Sequence, residues 1–100
     1  MRFGLKIEVI EQIQTVLRKY KQIEKAIVYG SRAKGNFRNG SDIDLTLVGK
    51  DLTLEIQYKI MEDLEELFLP YIIDLSIFHQ ISNPDLVDHI ERVGIVFFER

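Results

Sequence analysis

Two short runs in this 100-residue chain carry residue types that do chemistry together. Gly30-Ser31-Arg32-Ala33-Lys34-Gly35 has the makings of a phosphate-cradling turn, and five residues later Ser41-Asp42-Ile43-Asp44 brings two carboxylates. In an extended segment side chains alternate, so Asp42 and Asp44 point the same way. Like charges held that close repel, and one pKa rises unless something neutralises the pair. A divalent cation does so. Hard cations such as Mg²⁺ prefer carboxylate oxygens and leave positions open for phosphate oxygens and water, the arrangement of metal-dependent phosphoryl transfer. Upstream, the apolar run Ala26-Ile27-Val28-Tyr29 stops at Gly30. Ser31 could open a helical turn whose backbone amides face an anion, with glycine allowing close approach. Taken alone, Ser-Asp-Ile-Asp also suits a capped turn entering an ordinary strand. Joined to Gly-Ser at this separation and to flanking strands, it points to a site.

The elements that must position these groups follow from hydrophobic spacing. Ile10, Ile13, Leu17 and Tyr20 recur at three and four, with Val9 and Val16 widening the stripe, which predicts an amphipathic helix over 7–20. Lys25 to Tyr29 is too short for a helix and reads as a buried strand. Asn36-Phe37-Arg38-Asn39-Gly40 is full of breakers and reads as an exposed loop. From Asp42 to Val48 the pattern alternates: Ile43, Leu45 and Leu47 form a buried face, and Asp42, Asp44 and Thr46 a working face. Asp51 or Thr53 can cap a second helix over 54–68, carried by Ile56, Ile60, Leu64 and Leu67 with Met61 and Phe68, until Pro70 breaks it. Residues 71–78 alternate again, with Ile73, Leu75 and Ile77 opposed to Asp74 and Ser76. Asn83 ahead of Pro84 starts a last helix with the stripe Leu86, Val87, Ile90 and Val93, and Gly94 stands where it would end. Ile95 to Phe98, including Phe97, closes as a strand that could complete the core or form an interface. The expected fold is α/β (α+β), a mixed sheet of about four strands backed by helices.

If the strands at 42–48 and 72–78 are neighbours with their apolar sides on one core, Asp74 converges on Asp42 and Asp44. Strands disfavour aspartate, and burying an uncompensated charge is costly. Asp74 is therefore either a solvated outward-facing carboxylate or a third member of the site. His79 and His89 lie on no obvious common face and read as surface or packing residues, and Tyr29 and Tyr71 read as packing.

The Gly30-Ser31 pair, Arg32, Gly35 and the Ser41-Asp42-Ile43-Asp44 segment resemble the pattern of the nucleotidyltransferase superfamily that includes DNA polymerase beta and the kanamycin nucleotidyltransferases. The short chain is similar to the minimal nucleotidyltransferase (MNT) members. Specific motifs occupy only 30–44 and Asp74. The resemblance implies a polymerase beta-like fold in a single domain over 1–100 and a Mg²⁺-dependent enzyme. Such an enzyme moves a nucleoside monophosphate, here AMP from ATP, to a hydroxyl and releases pyrophosphate. Asp42, Asp44 and Asp74 would be catalytic and would hold two Mg²⁺ ions, for which Mn²⁺ can substitute. Gly30, Ser31, Arg32, Gly35, Arg38 and Ser41 would bind the nucleotide, while Arg32, Arg38 and Lys34 also fit plain solvated charges. Minimal members are similar to antitoxins of two-gene pairs whose partner is an all-helical HEPN protein, which implies transfer to a partner tyrosine. Two competing readings stay open: a non-catalytic nucleotide-binding antitoxin subunit that masks its partner, and an enzyme acting on a small hydroxyl compound such as an aminoglycoside.

The chain is 46% hydrophobic and 29% charged, a globular balance with enough apolar material for one core. A net charge of -3 gives no general attraction to nucleic acid, which argues against a long polynucleotide partner. The absence of cysteine rules out disulfides and thiolate metal sites and suits a reducing cytoplasm, the expected location. Residues 1–6 lack a signal-peptide core, and no apolar run approaches the length of a bilayer span, so no membrane association is expected. With no room for an acceptor-binding domain, the acceptor is expected to be small, or held by a second polypeptide or across a homodimer.

Overall fold

The computed structural model describes residues 1–100. Helix α1 (Ile7–Arg18) leads into strand β1 (Lys25–Tyr29), a one-turn helix α2 (Ser31–Lys34) and strand β2 (Ile43–Val48). Helix α3 (Leu54–Glu65), strand β3 (Ile73–Ile77), a 3-10 turn over 78–80, helix α4 (Pro84–Val93) and strand β4 (Ile95–Glu99) follow. The strands form one mixed sheet in the order β3-β2-β1-β4. β1 runs antiparallel to both neighbours and β2 runs parallel to β3. A parallel pair needs a crossover connection, and α3 supplies it.

One face of the sheet makes the core. Ile43, Leu45 and Leu47 of β2, Leu75 and Ile77 of β3, and Ala26 and Val28 of β1 pack in a single cluster with Ile13 and Leu17 of α1 and Ile60 and Leu64 of α3. The period-two alternation therefore does what the sequence predicts, and the α/β mixed-sheet expectation holds. Phe97 and Phe98 both join this core, although successive strand residues normally face opposite ways. A register shift between Ala26 and Ile27 leaves Phe97 unpaired in the ladder, and the resulting bulge turns both rings inward.

Helix ends differ from the periodic reading by a few residues. α1 stops at Arg18 rather than Tyr20, because the Tyr20 amide donates to the Leu17 carbonyl three residues back at 3.1 Å. Such bonds tighten and close a last turn. α3 stops at Glu65 rather than Phe68 in the same way, with the Leu67 and Phe68 amides bonded at 3.1 Å to the Leu64 and Glu65 carbonyls and Phe68 at φ 52°. Thr53 is the cap of α3, its hydroxyl accepting from the Ile56 amide at 3.3 Å, and Asn83 caps α4 by accepting from the Asp85 amide at 2.9 Å. No helix is long and apolar enough to cross a membrane.

Candidate active site

Gly30 joins β1 to α2 with φ 72° and ψ -152°, a conformation that residues with a Cβ rarely adopt. The reason lies across the sheet. A Cβ on Gly30 would run into the Asp44 carboxylate, so the tight turn and the acidic strand are fitted to each other. Gly35 closes the same turn at φ 86°, its amide donating to the Ser31 carbonyl at 2.9 Å.

β2 and β3 lie in parallel register with Asp44 directly opposite Asp74, on the face of the sheet away from the apolar core. Adjacent strands stand about 4.8 Å apart, so the two carboxylates are side by side. Asp42 precedes β2 by one residue and is exposed. Asp74 is exposed, as the solvated alternative expects, and stands in register beside Asp44. Burial, then the charge of Asp74, then that of Asp42, push the Asp44 pKa up from its ordinary value. No lysine or arginine forms an ion pair with any of the three; the two salt bridges of the chain are exposed helical pairs elsewhere. The chain thus holds carboxylate oxygens without a lysine or arginine partner, of the hard-donor type that suits a divalent cation. No three acidic or histidine side chains already surround a point where an ion would sit. None of the three hollows in the chain includes these aspartates, so the site is an open face.

Two of the residues expected to meet the nucleotide tie the loop ahead of Asp42 to the fold. Arg32 is only 3% exposed, and its guanidinium donates to the Ser41 carbonyl at 3.1 and 2.8 Å and to the Phe3 carbonyl at 2.9 Å. It also stacks over the rings of Phe37 and Tyr71, at 5.3 and 5.0 Å from their centroids. A side chain so enclosed braces the fold from inside and fixes the residue before Asp42. Ser41 is part of that brace through its carbonyl, and its hydroxyl accepts from the Arg38 amide at 2.8 Å, closing the loop. The side chains of Arg38 and Lys34 are exposed and make no hydrogen bond or ion pair, as solvated charges or ligand-facing groups would.

The working face is also less open than alternation suggests. Thr46 is wholly buried, because the 3-10 turn packs against β2 and α4 against β1. That packing brings in a residue that sequence reasoning set aside. His89 of α4 meets the Tyr29 ring edge-on, with centroids 6.1 Å apart, and its charge is the influence that lowers the Asp44 pKa. Tyr29 stands opposite Asp44 in the β1–β2 ladder, and its own pKa is raised chiefly by burial. The one sequence signal for His89 is its helical phase: it follows Leu86 by three and precedes Val93 by four, at the flank of the apolar stripe.

Residues 11–100 match the family model described as polymerase beta, nucleotidyltransferase. The chain belongs to that nucleotidyltransferase family. A Methanocaldococcus jannaschii protein named as a candidate protein adenylyltransferase is 28% identical over 96 residues, covering 89% of this nucleotidyltransferase and 95% of its relative. Among solved structures, a toxin-antitoxin complex with AMP-PNP superposes with a TM-score of 0.74 at 19% identity, covering 91% of this chain and 73% of that one. The complex of a tri-AMPylated Shewanella oneidensis HEPN toxin with its MNT antitoxin gives a TM-score of 0.69 at 17% identity, covering 93% and 71%. These structural likenesses establish the nucleotidyltransferase fold.

Proposed function

We propose that this nucleotidyltransferase moves AMP from ATP to a hydroxyl acceptor, a tyrosine of a HEPN-type helical partner, and so acts as the antitoxin of a two-protein pair. The observation that carries the reading is the registered pair Asp44 and Asp74, unneutralised, beside a glycine turn fitted to Asp44. Asp42, Asp44 and Asp74 would hold Mg²⁺, which when bound supplies Lewis-acid polarisation of the phosphates and a more acidic acceptor hydroxyl. The first-turn amides after Gly30 and the Ser31 hydroxyl bind the terminal phosphates, with Arg38 and Lys34 as exposed cations beside them. Asp74, being exposed on an edge strand, takes the proton of the acceptor hydroxyl. The acceptor oxygen bonds to the α-phosphorus as the bond to the departing pyrophosphate breaks.

The relative named as a candidate protein adenylyltransferase and the AMPylated toxin held by an MNT antitoxin support a protein acceptor. The test mixes this chain with the helical product of the neighbouring gene, labelled ATP and Mg²⁺. Label on a partner tyrosine that disappears with Asp44→Asn supports the proposal. Inhibition of the partner without label would favour masking, and labelled small products without any partner would favour a small acceptor.

A further inference from the structure

Two residues beyond the Asp44–Asp74 pair, Thr46 and Ser76 face each other in the same parallel register and on the same side of the sheet. Thr46 has no solvent exposure, and neither its Oγ1 nor the buried Oγ of Ser76 has a hydrogen-bond partner in the protein. Leaving such a hydroxyl unmet costs about 1–3 kcal/mol, whereas an apolar group of the same shape avoids the cost. A chain that keeps two of them side by side has a use for them. The Tyr29 hydroxyl comes near Ser76 from β1 without making a hydrogen bond to it. Side chains two residues apart on one strand face are separated by about 6.6 Å, too far for a hydroxyl to reach a carboxylate but suited to one intervening water.

We propose that Thr46 and Ser76, with the Tyr29 hydroxyl, form a binding site for one ordered water that braces the Asp44 and Asp74 carboxylates from behind. The hydroxyls and the two carboxylates offer more than the two to four partners that a buried water requires. Thr46 and Ser76 are then positioning residues: they hold the water, and the water fixes the rotamers of the two acids. The inference rests on the metal-dependent reading given above.

Thr46→Val and Ser76→Ala, singly and together, test it, with Thr46→Ser as the conservative control. Mn²⁺ affinity, measured by the spin-resonance signal of free Mn²⁺, should fall about 10-fold in the double variant. Thr46→Ser should keep wild-type affinity. A crystal of the wild-type chain with Mn²⁺ should show a water within about 3.2 Å of both hydroxyl oxygens. Unchanged Mn²⁺ affinity in the double variant, or no water at that position, would each overturn the proposal. A wild-type chain that binds no Mn²⁺ would sink the metal reading itself, and this inference with it.

Discussion

Gly30 and Asp44 are in mutual contact across β1 and β2, so closely that the turn has no space for a single side-chain carbon. The backbone at Gly30 also sits at φ 72°, where an L side chain is strained regardless of room. Gly30→Ala should therefore displace the Asp44 carboxylate and lower stability by roughly 1 kcal/mol or more. A misplacement near 1 Å costs about 100-fold in rate, so AMP transfer should fall by at least that much while ATP still binds. Steady-state kinetics and thermal melting together check this, and an alanine variant with full activity would contradict the fit.

Asp44 destabilises the chain that holds it. Asp44→Asn should raise the melting temperature of the metal-free protein, because it removes a charge that burial and the other two acids oppose. The same substitution should reduce nucleotidyl transfer at least about 100-fold, since even outer partners of metal ligands matter to that degree. Calorimetry beside a labelling assay would show the opposite signs; a variant both less stable and fully active would refute the assignment.

Stability should depend on pH in a particular direction. Asp44 has its pKa raised in the fold, so it binds a proton more tightly folded than unfolded. Its contribution to stability is fully present below the unfolded value of 3.8 and is lost as pH rises through the raised folded value. Asp44→Asn should flatten that decline in metal-free buffer. Above the window, Mn²⁺ at about 100 times its dissociation constant should return about 2.7 kcal/mol, and below it much less. Melting curves at several pH values, with and without metal, measure both effects.

His89 acts on Asp44 in the other direction, its charge holding the Asp44 pKa down. His89→Ala should therefore move the acid limb of the rate profile to higher pH without abolishing transfer. A pH–rate profile that does not shift would mean that His89 only packs against Tyr29.

Arg32 should prove a stability residue. Arg32→Lys keeps the charge but cannot span the Phe3 and Ser41 carbonyls as a planar fork does. One orphaned buried carbonyl costs about 1–3 kcal/mol, so melting should fall visibly. Arg38→Ala, at an exposed side chain, should change stability by no more than about 0.5 kcal/mol and act on the KM for ATP. Comparison of the two variants separates the brace from the surface cation.

How much of this was legible in the sequence depended on whether the signal was local. Asp44 and Asp74 could be placed on one face because each sits in its own alternating run, and period two fixes the face of every residue in it. Gly30 could be singled out because it ends an apolar run. The burial of Arg32 could not be read, since it depends on Phe3, Phe37 and Tyr71, which come from three separated segments. Thr46 shares the alternation of Asp44 but lies under packing from α4 and the 3-10 turn, which no strand pattern records. His89 reaches the site only because α4 folds back over β1, bringing it to Tyr29.

β3 has a neighbour along one flank only, and Asp74 projects from it onto an open surface rather than into a cleft. Access is thus sideways, as on a workbench and not as down a shaft. If the receiving oxygen is delivered here, as proposed, the size of its carrier imposes no limit on entry, and selectivity would come from how that body seats against the rim and not from a pocket measuring it.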